Sequence, residues 1–365
     1  MDFLSGHGGN ESMEEEKKNL KLLFAVIGAE FLLIALAVWF FDPFFQYHAP
    51  FGERQAVFND RDNQMPGSIR VMDYDSVLVG SSVAENCDSS FLDEQFGCHT
   101  QKIIRASGSA ADLLYYLDMA EEEHELKNVF WCMDLTALSS SPVYTFSPED
   151  KNRYLHTETV FDDGTYLWNK DILFMTIPTM LVSERMERNV GGHAYDWSAG
   201  KEFSAQKAMT AYDKPAQILE AKDFTAQTED IRENLEAVAA QIEAHPDTRY
   251  YFFFPPYSMS WWDCAYVNGE LEEKFYILEQ ALPVLLSYDN VEVYYFQNDQ
   301  DVISNLDNYM DLVHYSPEIN QYMLEQIAGE EGRVTKENWR DVILEMRELA
   351  ERISGELIYE YYPES

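Results

Sequence analysis

The chain has 365 residues, of which 46% are hydrophobic and 14% aromatic, so it can bury a large core. Its formal net charge is −39, and residues 42–365 alone hold 59 acidic and 23 basic side chains. Such a surface repels polyanions, which argues against nucleic acid as a partner and leaves either a neutral or cationic target or a merely solvated acidic face.

An apolar segment near the amino end predicts one transmembrane helix. Residues 22–41 contain Glu30 as their only ionisable side chain, and twenty residues at about 1.5 Å each cross roughly 30 Å of hydrocarbon. A cleaved signal peptide is the alternative, but the run is longer than a signal core and residues 42–47 lack a small-x-small cleavage site. We therefore expect an uncleaved anchor. Glu30 is either a functional acid that meets a partner protein or a tolerated, protonated residue.

Basic residues flank this segment on one side only. Lys17, Lys18 and Lys21 precede it, and no further Lys or Arg occurs until Arg54. The positive-inside rule then predicts a single-pass protein of the cell membrane with its amino end in the cytoplasm. The predicted divisions are a short cytoplasmic tail (1–21), the transmembrane helix (22–41), a juxtamembrane lead-in (42–69) and an extracytoplasmic domain (70–365).

Strand-like runs alternate with helical runs along the outer domain, as a parallel α/β sheet requires. The pattern predicts strands at 76–79, 101–105, 128–133, 249–254 and 290–296, and helices at 111–126, 225–244 and 271–282 and from Ser316 and Thr335. A long insertion, about 138–223, follows the third strand. We expect it to lie over the carboxyl ends of the strands, either as a lid or substrate-selecting element or as loops without function.

Two short segments, some 230 residues apart, indicate chemistry. The first strand stops at Gly80 and is followed by Ser81 and Ser82, which places a hydroxyl where open α/β sheets bind ligands. Far along the chain, Asp311 precedes His314 by three residues. An Asp that holds an imidazole, and an imidazole that takes the proton of a serine, are the parts of a nucleophilic triad. Each segment alone is commonplace; the chain order and the helix start after His314 favour reading them together.

On these residues the chain resembles the SGNH (GDSL-like) hydrolases and acyltransferases. It resembles most their membrane-tethered bacterial branch, which includes the teichoic-acid D-alanylation protein DltD and the alginate acetylation proteins. The resemblance covers roughly residues 70–330 and implies a three-layer, flavodoxin-like α/β fold with a parallel sheet. It implies Ser82 as nucleophile, with Ser81 a minor candidate, and His314 and Asp311 as base and orienter. The backbone amides of Ser82 and Gly108 would form the oxyanion hole.

The third block of that family, Gly-x-Asn-Asp, is where this sequence departs. The strand at 128–133 is followed by Asp134, Leu135 and Thr136, so no Asn offers a side-chain amide to an oxyanion. An ionised Asp134 would repel the developing negative charge. Either the amides of Ser82 and Gly108 suffice, or Thr136 contributes, or activity is weak or absent.

The resemblance implies an esterase or O-acyltransferase that acts on acyl groups of a cell-envelope glycan or acylated polymer. A multi-pass membrane O-acyltransferase is a candidate partner, and a catalytically decayed scaffold that binds such a polymer or partner is the alternative function. No Cys or His spacing is typical of a metal site and no Gly-rich phosphate loop occurs, so neither metal nor cofactor is expected. Cys87 and Cys98 are close enough in sequence for one disulfide.

Overall fold

The computed structural model describes residues 8–143, 152–157, 159, 161–212 and 217–361. These residues form a six-stranded sheet of order β2-β1-β3-β4-β5-β6. The first five strands are parallel, and β6 adds an antiparallel edge. The strands are β1 (Ser76–Gly80), β2 (Thr100–Ile104), β3 (Asn128–Cys132), β4 (Arg249–Phe254), β5 (Val291–Tyr295) and β6 (Arg333–Val334).

Helices join the strands and cover both faces of the sheet. The order 2-1-3-4-5 is that of doubly wound, flavodoxin-like sheets. Right-handed crossovers in such a sheet place α3 (Ser89–Phe96) on one face and α4 (Ala110–Glu123), α9 (Thr225–Ala244) and α11 (Leu271–Leu285) on the other. The packing agrees, because α3 contacts α13 whereas α9 contacts both α4 and α11. The helices are α1 (Gly8–Phe41), α2 (Arg61–Val71), α3 (Ser89–Phe96), α4 (Ala110–Glu123), α5 (Leu135–Leu138), α6 (Gly164–Leu167), α7 (Ile177–Arg185), α8 (Ala205–Met209), α9 (Thr225–Ala244), α10 (Met259–Val267), α11 (Leu271–Leu285), α12 (Gln300–Ile303), α13 (Pro317–Ala328) and α14 (Trp339–Gly355).

The central strands are buried on both faces, which explains their sequences. All five residues of β1, β3 and β5 are buried, and in β4 only Arg249 is exposed. Strands enclosed by two helical layers lose the polar alternation of half-exposed strands and become runs of branched and aromatic residues. The predicted α/β class and the mostly parallel sheet are confirmed, and β4 and α9 have the predicted bounds.

Some elements differ from the sequence-based expectation. Helix α11 continues two residues past Pro283, because a proline in the last turn costs only one internal hydrogen bond. The helix expected from Thr335 begins at Trp339, since Thr335 and Asn338 cap a turn with their side chains instead. Residues 82–86 form turns. Helix α2 begins within the predicted lead-in and packs on α4 and β2.

Helix α1 is, from Met13 to Phe41, long and apolar enough to span a membrane. The chain turns sharply at the end of α1, where Asp42 and Phe45 have φ values of 37° and 56°.

The insertion, where it is described, consists of short helical segments; residues 144–151, 158, 160 and 213–216 lie outside the described chain. The limits of the tail, lead-in and outer domain stay predictions.

Candidate active site

Three side chains from the two ends of the α/β domain meet at the carboxyl end of the sheet. Ser82 Oγ lies 2.8 Å from His314 Nε2, and His314 Nδ1 lies 2.8 Å from Asp311 Oδ2. With the Nδ1 proton donated to Asp311, Nε2 is left as an acceptor for the Ser82 hydroxyl. The sequence-predicted Ser, His and Asp are therefore brought into one hydrogen-bonded chain, and the geometry is that of a nucleophile, a base and a group that orients the base.

The fold positions Ser82 at the point where the strand order reverses. Strand β1 lies between β2 and β3, and the chain leaves the sheet after Gly80 into the turn that carries Ser82. Crossovers to opposite faces open a crevice at such a point. A Cβ at Gly80 would lie 2.7 Å from Cβ of Ala84, so a glycine is needed for the chain to turn this tightly.

The loop before α13 fixes Asp311 and His314. Asp311 Oδ1 accepts the backbone N–H groups of Val313 (2.9 Å) and His314 (2.8 Å), while Oδ2 faces the imidazole. Partial burial opposes ionisation of Asp311, but the hydrogen bonds from His314 and Val313 outweigh it and hold the pKa of this carboxyl below its usual value. Asp311 therefore stays an anion beside the imidazole.

The hydroxyls of Ser81 and Ser82 have different partners. Ser81 is buried and hydrogen-bonds to the carboxyl of Asp134, which also accepts the phenol O–H of Tyr257. Burial raises the pKa of Asp134 despite these hydrogen bonds. Asp134 thus lies beneath the site, among hydroxyl donors, and Ser82 is the serine that faces His314.

The predicted oxyanion donors are only partly available. Among the described residues the backbone N–H of Ser82 has no acceptor, but the N–H of Gly108 donates to the carbonyl of Arg105 at 3.0 Å. A Cβ at Gly108 would lie 2.8 Å from side-chain atoms of Arg105. This close approach is by itself enough to require a glycine at position 108. Thr136 is exposed at the start of α5. Oxyanion roles for Gly108 and Thr136 stay predictions, and for Gly108 the turn would have to open.

A cleft of about 230 Å³ opens beside the three side chains, and much of its wall comes from residues that sequence reasoning did not single out. It is lined by Arg61, Ser82, Glu85, Trp197, Lys201, Met310, Asp311 and His314. Trp197 and Lys201 belong to the insertion, as expected of an element over the carboxyl ends of the strands. The position of the insertion in the sequence was the only indication that its residues would line the cleft. No sequence pattern identifies a single Trp or Lys that reaches a site through packing between distant segments.

Trp197 contacts both the turn that carries Ser82 and the imidazole of His314. Its indole N–H donates to the carbonyl of Ser82 at 2.9 Å, and its backbone N–H donates to Asn86 at 3.1 Å. Its ring meets the His314 imidazole edge-to-face, with centroids 5.3 Å apart and an interplanar angle of 87°. These contacts fix both the turn that carries Ser82 and the plane of the imidazole.

Ionisable groups line the cleft and lie beneath it. Burial raises the pKa of Glu85 to about 7, although Arg61, 3.0 Å away, and Lys102 both favour its anion. Lys102 is buried in β2, where burial lowers its pKa to about 8. Its ammonium donates to the carbonyls of Glu85 (2.7 Å) and Ala194 (2.9 Å). Lys102 thereby ties the turn after β1 to the insertion.

Two other sequence features have structural explanations. The aromatic side chains of Tyr257 and Trp262, which follow β4, are buried. Cys87 and Cys98 are free thiols. Within the part of the chain that the structure describes, no group of three His, Cys, Asp or Glu side chains could hold a metal ion; the absence of metal and cofactor stays a prediction.

Comparisons with known proteins do not assign the chain to a family. No family model matches it and no curated protein matches it. Among solved structures it is similar to one described as "a putative platelet activating factor from Streptococcus pneumonia", with a TM-score of 0.38, 12% identity, and coverage of 73% of this chain and 91% of that chain. A similarity this low carries no argument, so the function has to be inferred from the site itself.

Proposed function

We propose that the protein is a membrane-anchored, extracytoplasmic serine esterase or O-acyltransferase of the SGNH type. The observation that carries this proposal is the hydrogen-bonded chain from Ser82 through His314 to Asp311. An O–H, an imidazole and a carboxylate at 2.8 Å spacing are what activation of a serine requires.

The reaction proceeds in two halves. Ser82 Oγ attacks the ester carbonyl while His314 Nε2 takes its proton; the imidazolium then returns the proton to the departing alcohol, which leaves an acyl ester on Ser82. In the second half His314 deprotonates water or a glycan hydroxyl, which attacks the acyl ester. The bond from the acyl carbon to Ser82 Oγ then breaks, the imidazolium returns the proton to Ser82 Oγ, and the carboxylic acid or the acylated glycan leaves. The anion of Asp311 stabilises the imidazolium in both halves, and the Ser82 amide is the first oxyanion donor.

The proposed substrate is an acylated cell-envelope glycan or polymer, with a multi-pass membrane O-acyltransferase as candidate donor or partner. Placement of the domain outside the cell is supported by Lys17, Lys18 and Lys21 before the apolar part of α1 and by the absence of Lys and Arg from there to Arg54. The open cleft beside Ser82 suits the end or branch of a polymer better than an enclosed small molecule.

Partitioning of the acyl group tests this function. The full chain, in lipid nanodiscs, is supplied with an aryl acetate and increasing amounts of a neutral oligosaccharide, and free acetate and O-acetylated sugar are measured by mass spectrometry. Turnover that vanishes in Ser82→Ala is expected, and rising O-acetyl sugar would assign transfer rather than hydrolysis. Turnover that is equal in Ser82→Ala would refute the proposal.

A scaffold without catalysis is the second candidate, and one observation favours it. The backbone N–H of Gly108 already donates to the carbonyl of Arg105, and no Asn after β3 offers a side-chain amide to the oxyanion in its place. A scaffold would keep a membrane partner in co-purification after Ser82→Ala and His314→Ala and lose it when residues 22–41 are replaced by a leucine helix. Loss of the partner with Ser82→Ala would count against it.

A further inference from the structure

Part of the insertion is an apolar surface that the proposed chemistry does not use. Residues 164–186 comprise α6, a π-helical turn (Ile172–Thr176) and α7; from residue 172 to 183 they contain twelve residues without a charged side chain. An apolar run of that length is typical of a buried core helix or of a segment lying in a membrane interface. Here it is not core, because Phe174 is 74% exposed and Met175 64% exposed. The segment's other exposed large apolar side chains are Trp168, Leu181, Val182 and Met186.

This segment contacts α1 well inside the apolar part of that helix. The indole N–H of Trp168 donates to the carbonyl of Phe31 at 2.9 Å, and the two rings lie 6.2 Å apart. Phe31 is ten residues before the helix ends at Phe41, which is about 15 Å along the axis at 1.5 Å per residue. Trp168 is therefore level with the middle of the predicted transmembrane segment.

The two elements share one environment at that level. The insertion covers one side of α1, where Val38 is buried in a small cluster with Tyr166 and Ile172. The other sides of α1 stay exposed and apolar, with Leu33 65% exposed. If lipid surrounds those sides, it also meets the exposed face of residues 164–186. Lys170 and Asp171 are the two charged side chains between residues 164 and 183, and a lysine can extend its ammonium to the water interface.

The joint between α1 and the domain is fixed, which keeps the segment in place. The buried carboxylate of Asp42 accepts the backbone N–H groups of Gln46, Tyr47 and His48, and the phenol O–H of Tyr166. The polar surface resumes at the end of α7, where Glu184 pairs with Arg54 at 2.9 Å.

We propose that residues 164–186 form a membrane shoulder: an apolar element that enters the outer leaflet beside α1 and is covered by lipid acyl chains. The shoulder rests on the proposed function only in that α1 anchors the domain in the membrane. It provides a second point of attachment, and one helix plus one shoulder fix the tilt of the domain. Trp197, which contacts Ser82 and His314, follows Met186 by eleven residues, so the same insertion reaches both the bilayer and the cleft. The cleft is thereby held at one height and orientation over the membrane surface.

Site-specific photocrosslinking tests the shoulder. The full chain is produced with p-benzoylphenylalanine in place of Phe174, a close replacement that preserves folding, and its membranes are irradiated. The matched control carries the probe in place of Leu344, which is 54% exposed on α14; a third chain carries it in place of Leu33. Phospholipid adducts, found by peptide mass spectrometry, are expected at 174 and 33 and not at 344.

The outcomes separate the proposals. Lipid adducts at 33 but not at 174 overturn the shoulder and leave the anchor intact, and no adduct at either position removes both. A cross-link of protein size at 174 without lipid adducts also overturns the proposal, because it assigns the surface to a partner protein. Fluorophosphonate labelling of Ser82 in the same samples reports on the catalytic proposal independently.

Discussion

Replacement of Asp311 by Asn isolates the charge that the account places beside the imidazole. The variant keeps a carbonyl oxygen that can accept the N–H groups of Val313 and His314, so the loop should keep its shape. The imidazolium formed in each half-reaction loses its anion. Two unit charges about 4 Å apart interact by about 4 kcal/mol at an effective dielectric constant of 20.

Solvent reduces this figure, because both side chains are 27% exposed. We take about 3 kcal/mol, which at 1.36 kcal/mol per factor of ten lowers the rate by about 100-fold. An amide N–H turned toward Nδ1 would also favour the tautomer in which Nε2 is protonated, which adds to the loss. The expected result for Asp311→Asn is therefore a fall in kcat/KM of at least about 100-fold.

The assay is hydrolysis of an aryl acetate, with the rate of Ser82→Ala subtracted. Asp307→Asn is the matched control. Asp307 lies in the turn before Asp311 and accepts the backbone N–H of Ala205 at 2.8 Å. Removal of this charge should leave kcat/KM within about twofold of the parent value. A rate for Asp311→Asn within threefold of the parent would refute the assigned role of the carboxylate.

Three further predictions follow from the contacts around the site. Ser81→Ala should keep the acyl-enzyme on Ser82 and lower the free energy of unfolding by about 1 kcal/mol through the lost hydrogen bond to Asp134; loss of labelling on Ser82 would contradict the assignment. Trp197→Phe removes the hydrogen bond to the Ser82 carbonyl and keeps a ring against His314, so kcat/KM should fall roughly fivefold, the effect of about 1 kcal/mol, whereas an unchanged value would show that the indole N–H does not position Ser82. For Glu85 the sign is set by its raised pKa: burial disfavours the anion, so the parent loses stability relative to Glu85→Gln as pH rises from about 4.5 to about 7, by up to about 3 kcal/mol. Melting curves at pH 5 and pH 8 measure this, and parallel curves for the two proteins would contradict it.

The sheet could be predicted because its signals are local. A run such as Arg249–Phe254 combines aromatic residues with a proline stop, and the strand has those bounds. The proximity of Ser82 to His314 could also be predicted, since parallel strands bring their carboxyl ends to one edge.

What escaped prediction depends on packing between distant segments. Arg61, Trp197 and Lys201 line the cleft from the lead-in and the insertion, and their sequence neighbours carry no catalytic pattern. Gly108, by contrast, has a sequence signal, but that signal fits two different roles. A glycine after a strand is compatible with an oxyanion donor and with a tight turn, and only the contact with Arg105 shows that the turn requires it.

Labelling of the full chain with a fluorophosphonate tests the central claim most directly. The adduct is located by peptide mass spectrometry, with His314→Ala as control, because a serine becomes reactive only when a base takes its proton. The account predicts an adduct on Ser82 in the parent and little or none in His314→Ala. An adduct on Ser82 that forms equally fast without His314, or no adduct on the folded parent, would contradict the assembled triad.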